Sequence, residues 1–275
     1  MTDQNDYSSA SENVEENAGM SFWDHLNELR GVIVKSLIAI SVGAILAFVN
    51  KDIIFDKIIL APKDPNFVTF RALCAFGKLF HYDGLCVGTF SLNLINLNMA
   101  GQFMSHITIS IVAGFILAVP FILWQVWGFI RPALYDSEQS YTKGFVAICS
   151  GLFLIGVLFS YYFIVPMTIN FFATYQVSAS VVNQISLESY ISSVTSLTLS
   201  LGLVFEMPVL IFFLTKIGIL TPQVIRKYRR HAFVIVMIVA AVITPTADAF
   251  SLTIVTIPLY MLYEASYFVS KFARK

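Results

Sequence analysis

Glu206 stands near the middle of Leu199–Leu214, LSLGLVFEMPVLIFFL, and is the one charged residue of that apolar run. A charged carboxylate at the centre of a bilayer costs about 2.5–3.5 kcal/mol on insertion scales. Such a group is protonated, paired, or turned to a polar cavity. Pro208 has no N–H, so the carbonyl four residues back loses its helical partner. Gly202, one turn before Glu206, leaves room beside the carboxyl. The stretch predicts a polar, slightly opened patch in a greasy helix. The plainer alternative is a protonated acid hydrogen-bonded to a neighbouring helix for packing alone.

Two further carboxylates, Glu28 and Glu138, fall at the predicted cytoplasmic membrane edge on different elements. Two acids at one level make a receptor for cations. Guanidinium suits them best, because arginine pairs bidentately with a carboxylate and lysine does not. A charge-assisted bond of this kind contributes about 1.5–3 kcal/mol. Each acid also has a purely structural reading. Glu28 belongs to an amphipathic turn, and Glu138 sits in the first turn of a span, where negative charge suits the helix dipole.

No G-x-x-x-x-G-K-[ST] and no G-x-S-x-G occurs, so neither a nucleotide-binding loop nor a serine nucleophile elbow is present. His25, His81, His106 and His231 lie at or beyond the predicted membrane edges and lack metal-ligand spacing. The expectation is a protein that is not an enzyme, with no cofactor and no metal. Cys74 and Cys86 share one outer loop, where a bridge would stabilise the fold by about 3 kcal/mol; two free thiols are the other reading. Cys149 lies within a span as packing.

The elements that must hold these groups follow from composition. Of 275 residues, 57% are hydrophobic and 12% charged, against about 25% charged in soluble domains. This is the composition of an all-α polytopic membrane protein. Net charge is zero, so nothing argues for nucleic acid. Residues 1–20 read as a disordered acidic cytoplasmic tail. No basic segment precedes an apolar run there, so no cleaved signal peptide is expected. Ser21–Arg30 reads as an interfacial amphipathic helix with Trp23 at headgroup depth.

Six spans follow, at Gly31–Val49, Phe103–Ile130, Gly144–Val165, Tyr190–Ile219, His231–Thr244 and Phe250–Ser266, the last two unusually short. Pro120 kinks the second span, Trp124 and Trp127 mark its interface, and Pro166 follows the third. Residues 50–102 form an outer cap, with a short extended segment in FSLNLINLNM. The tail 271–275 is basic. Arg226, Lys227, Arg229 and Arg230, with the basic terminus, place both termini in the cytoplasm.

With these motifs together, the chain resembles TatC, the multi-spanning receptor of the twin-arginine translocase. The matching stretches are HLNELR (His25–Arg30), AVPFILWQVWGFIRPALYDSE (Ala118–Glu138), FEMP (Phe205–Pro208), GILTPQVIRKYRR (Gly218–Arg230), ITP with DAFS (Ile243–Ser251), and IPLYMLYE (Ile257–Glu264). The resemblance implies a cupped, glove-like bundle in the cytoplasmic (inner) membrane. It implies recognition of Arg-Arg signal peptides of folded precursors by Glu28 and Glu138, with Leu29, Arg30, Pro132, Leu134 and Tyr135 around them. It makes Glu206 the intramembrane acid of the concave face. It implies docking of single-span TatA and TatB type subunits at Thr244, Asp248, Phe250, Ser251 and Glu264, assembly with further copies of the chain, and transport driven by the proton-motive force. Val32 and Leu252 depart from the family pattern, which favours a basic and a polar residue there.

The rival reading is a proton-coupled secondary transporter using Glu206 as a relay. It predicts inverted repeats with paired broken helices, and no such symmetry is visible in the sequence.

Overall fold

The structure is a computed structural model that describes residues 22–79, 92–130, 142–178, 180, 183–244 and 249–273. The acidic segment 1–20, His81, Cys86, Pro132, Leu134, Tyr135, Glu138, Asp248 and the last two residues lie outside that set.

Helix α1 runs unbroken over Phe22–Val49. The expected division into an interfacial helix and a separate span is absent. With no proline to interrupt it, a 28-residue helix is about 42 Å long, enough to cross the hydrocarbon and add an interfacial turn. Helix α3, Gly101–Ile130, returns antiparallel to α1 and contains Pro120. The two backbones meet at glycines: a Cβ on Gly114 would lie 2.3 Å from the Ala44 nitrogen, and one on Gly43 would lie 2.8 Å from the Gly114 carbonyl oxygen. Small residues permit such contact in membranes, where packing rather than water drives association. A histidine–phenylalanine stack closes each end. His25 lies on Phe129 at 4.2 Å between centroids, and Phe48 on His106 at 4.0 Å. These histidines are structural contacts between helices rather than simple surface residues.

Between α1 and α3 the cap contains a π-helical segment Asp52–Ile59, a 3-10 turn Ala61–Lys63 and helix α2, Val68–Leu79. The extended segment expected in FSLNLINLNM is the two-residue strand β1, Leu94–Ile95. It pairs in parallel with β2, Ile185–Ser186, so the two outer loops are joined. Asn98 Nδ2 extends the seam by donating to Glu188 at 2.7 Å.

The third span does not end at Pro166. Helix α4, Thr142–Phe159, passes through a π turn, Ser160–Ile164, into helix α5, Val165–Thr174, and the apolar stretch Gly144–Thr174 is continuous. The wider turn admits the proline ring. The missing N–H leaves the Tyr162 carbonyl open, and the Thr69 hydroxyl of the cap donates to it. Tyr161 and Tyr190 donate to the Ile58 and Ile59 carbonyls at 2.7 and 2.8 Å, anchoring the π-helical segment.

Helix α6, Leu187–Val204, forms the centre of the core through Ile191, Val194, Leu197 and Leu201, all buried. After a break at Phe205–Glu206 the chain continues as α7, Met207–Lys216. Gly218, at φ +81°, ends α7 in a Schellman turn, with Ile219 N–H donating to Leu214 and Gly218 N–H to Thr215. Short helix α8, Pro222–Lys227, follows.

Helix α9, Arg229–Ile243, has 15 residues, about 22 Å, short of the hydrocarbon thickness as expected. Helix α10, Ala249–Ala273, is not short: it has 25 residues. Its later serines are buried. Ser266 donates to Leu262 in its own helix, and Ser270 shares a 3.0 Å hydrogen bond with Thr215 of α7. Among the described residues five helical stretches are long and apolar enough to cross a membrane, and α9 is an additional shorter one. The chain is a multi-pass membrane protein.

Candidate functional site

The start of α1 and the end of α3 are fixed to each other by the His25–Phe129 stack. Glu28 lies one turn further along α1, partly exposed, with Leu29 and Arg30 exposed beside it. The connector 131–141 leaves α3 two residues after Phe129 and enters α4 at Thr142. Pro132, Leu134, Tyr135 and Glu138 belong to that connector, outside the described residues.

Near this edge, the end of α3, the start of α4 and the start of α7 line a half-open cavity of about 290 Å³. Glu206, Trp127, Cys149, Phe145, Val209 and Phe213 are among its walls. Glu206 occupies the break between α6 and α7. Its N–H bonds three residues back to Leu203, and its carbonyl accepts from Val209 and Leu210 at 3.1 and 3.0 Å. Pro208 therefore opens the helix where the acid stands. Within the cavity, Glu206 Oε1 and Trp127 Nε1 are both buried without a hydrogen-bond partner. The Cys149 thiol and the Phe153 backbone are the other groups at the carboxyl. Two unpaired polar atoms thus lie buried in its walls, each costing about 1–3 kcal/mol while unmet.

Two sequence expectations change here. Trp124 is exposed on the outer surface of α3, but Trp127 is buried, stacked on Phe145 at 4.1 Å. The two rings are one turn apart on nearly the same side of α3, so their spacing does not distinguish them; the packing of Phe145 does. Gly202 does not make room for the carboxyl. Its missing side chain receives Phe153 and Val157 of α4, whose atoms lie 2.9 Å from where a Cβ would be.

The second candidate region is less coherent than the sequence suggests. Glu264 is ion-paired with Arg229, whose guanidinium also lies 5.7 Å from the Tyr267 ring. It stands 13 residues along α10 from Ser251, about 20 Å away, and so does not share the α9–α10 turn. Thr244 and Ser251 are buried, and the Thr244 hydroxyl donates to Ala240. Their side chains are turned into the fold. Phe250 opens α10 near the turn, and its side chain and Asp248 lie outside the described residues. Cys74 is disulfide-bonded and Cys149 is a buried free thiol.

The profile of the TatC family, Sec-independent protein translocase protein, matches residues 24–258. The chain belongs to the TatC family. A TatC from Blattabacterium sp. (subsp. Periplaneta americana, strain BPLAN) is 39% identical over 258 residues, covering 93% of this chain and 97% of the relative. A TatC from Deinococcus radiodurans is 32% identical, covering 94% and 88%. A crystal structure of the twin-arginine translocase receptor TatC superposes with a TM-score of 0.73 at 30% identity. It covers 90% of this chain and 99% of the other. The TatC fold is therefore shared over nearly the whole chain, and its relatives are translocase proteins rather than small-solute transporters by name.

Proposed function

We propose that this TatC-family chain is the receptor and core subunit of a twin-arginine translocase. It binds Arg-Arg signal peptides of folded precursors at the cytoplasmic face of the inner membrane and has no catalytic role. Glu28 and Glu138 receive the two guanidinium groups, with Leu29, Arg30, Pro132, Leu134 and Tyr135 shaping the surface around them. The observation that carries this reading is the His25–Phe129 seam, which sets the Glu28 turn beside the origin of the connector holding Glu138. Near it lies the cavity walled by Trp127 and Glu206, the intramembrane acid of the concave face. Single-span TatA and TatB type subunits and further copies of the chain complete the machine. The region of Thr244, Asp248, Phe250, Ser251 and Glu264 is the docking site for the single-span subunits, and both termini are cytoplasmic. Export is driven by the proton-motive force, worth about 2.3 kcal/mol per charge per 100 mV.

The test is equilibrium binding of an Arg-Arg signal peptide and its Lys-Lys version to the full chain in lipid nanodiscs. Each charge-assisted bond predicts about a 10- to 100-fold preference for Arg-Arg, reduced by Glu28→Ala and by Glu138→Ala. Equal binding of both peptides to wild type and to Glu138→Ala would remove the carboxylates from the mechanism.

A further inference from the structure

Arg226, Lys227, Arg229 and Arg230 line one cavity of about 530 Å³ at the junction of α8, α9 and α10, together with Phe233 and Tyr260. A basic connector sets orientation in a membrane wherever its side chains point. Here they converge. Tyr228 turns the chain between α8 and α9, so cations from the end of one helix and the start of the next face a shared space. The connector Thr221–Arg230 contains no acid. Among the described residues Arg229 alone of the four has an ion-pair partner, Glu264, which leaves three positive charges around a concave surface. Like charges held this close repel unless an anion lies between them.

The membrane-facing surroundings identify the anion. From the cavity the outer face of α9 continues as Val234, Ile235, Ile238 and Val242, all more than half exposed. A ligand seated here has its charge among arginines and apolar length beside it along a helix. Arginine forks match phosphate oxygens bidentately, and basic pockets between membrane helices take phospholipid headgroups. The short α9 draws its basic end toward headgroup depth. We infer that this cavity is a binding site for an anionic phospholipid. Its phosphodiester is held by Arg226, Lys227 and Arg230, and its acyl chains lie along α9. The site is independent of signal-peptide recognition.

Native mass spectrometry of the detergent-solubilised full chain, titrated with phosphatidylglycerol or phosphatidylcholine, tests this. Wild type binds phosphatidylglycerol about tenfold or more tightly than phosphatidylcholine. The variant Arg226→Gln/Lys227→Gln/Arg230→Gln, which leaves Arg229 to Glu264, loses that preference, and Arg226→Lys/Arg230→Lys keeps most of it. Lys51→Gln/Lys57→Gln, in the cap, changes nothing. If the triple variant does not fold, as judged by gel filtration and thermal unfolding, Arg226→Gln/Lys227→Gln replaces it and is expected to weaken the preference severalfold. Equal phosphatidylglycerol binding by wild type and the glutamine variant overturns the proposal, as does an equal loss in the cap variant. Displacement of the lipid by millimolar inorganic phosphate overturns it too, assigning the cavity to a soluble anion.

Discussion

Replacing Gly114 by alanine tests whether the α1–α3 crossing holds the Glu28 edge in place. The new Cβ would lie 2.3 Å from the Ala44 nitrogen and 2.7 Å from its Cα. Both are backbone atoms, so no rotamer relieves the contact. Restoring ordinary van der Waals distance requires the helices to part by about 1 Å. Such overpacking costs about 1–3 kcal/mol. The same movement loosens the two histidine–phenylalanine stacks at the ends of the pair, each worth about 0.5–1.5 kcal/mol. The control is Gly31→Ala in α1, the partner helix, where nothing lies within 4 Å of the added methyl. There the substitution gains helix propensity, about 0.5–1 kcal/mol. Thermal unfolding in detergent should order the three proteins as Gly31→Ala, wild type, Gly114→Ala, from most to least stable. Arg-Arg peptide affinity should fall for Gly114→Ala alone, because Glu28 moves relative to the connector. If Gly114→Ala proves as stable as wild type and binds peptide equally well, the crossing does not position the edge and the reasoning fails.

Thr69→Val removes the hydroxyl that meets the Tyr162 carbonyl and should cost about 1–3 kcal/mol in thermal unfolding. Pro166→Ala, which supplies an N–H nearby, should shrink that cost, and an unchanged cost would show that the proline is not its origin. Glu206→Gln should insert and accumulate as wild type does, because the amide is nearly isosteric with the acid; loss of stable accumulation would contradict the cavity reading. A double-mutant cycle on Arg229→Gln and Glu264→Gln should give a coupling of about 0.5–1 kcal/mol, small because both side chains keep contact with solvent. A coupling near zero would mean that Glu264 is free to serve a partner.

The break at Glu206 was legible because an acid and a proline two residues apart impose local chemistry that no packing can erase. The strand in the outer cap was legible for a similar local reason, its alternation. What the sequence concealed depended on neighbours. The sixth span reads as short until α10 is seen to run on through the buried Ser266 and Ser270. Pro166 looks like a stop until the π turn absorbs its ring. The resemblance groups Glu264 with the α9–α10 turn, but α10 carries it about 20 Å away, past the middle of the helix. Trp127 reads as an interfacial aromatic beside Trp124, and only the packing of Phe145 and Phe213 on it separates them. Glu28 lies one turn from the His25–Phe129 stack, and its pairing with Glu138 is the proposal that the peptide assay addresses.

The parallel ladder between Leu94–Ile95 and Ile185–Ser186 constrains how the bundle can rearrange. It joins the chain just before α3 to the chain just before α6, and Asn98–Glu188 reinforces it. Two rods fastened at one tip cannot slide lengthwise past each other, so piston-like displacement of α3 against α6 is barred. What remains is a scissoring of the pair about the fastened tip. Its amplitude is greatest at the far ends, beside Trp127 and Glu206, so any widening to admit a guest would occur there while the capped rim stays shut.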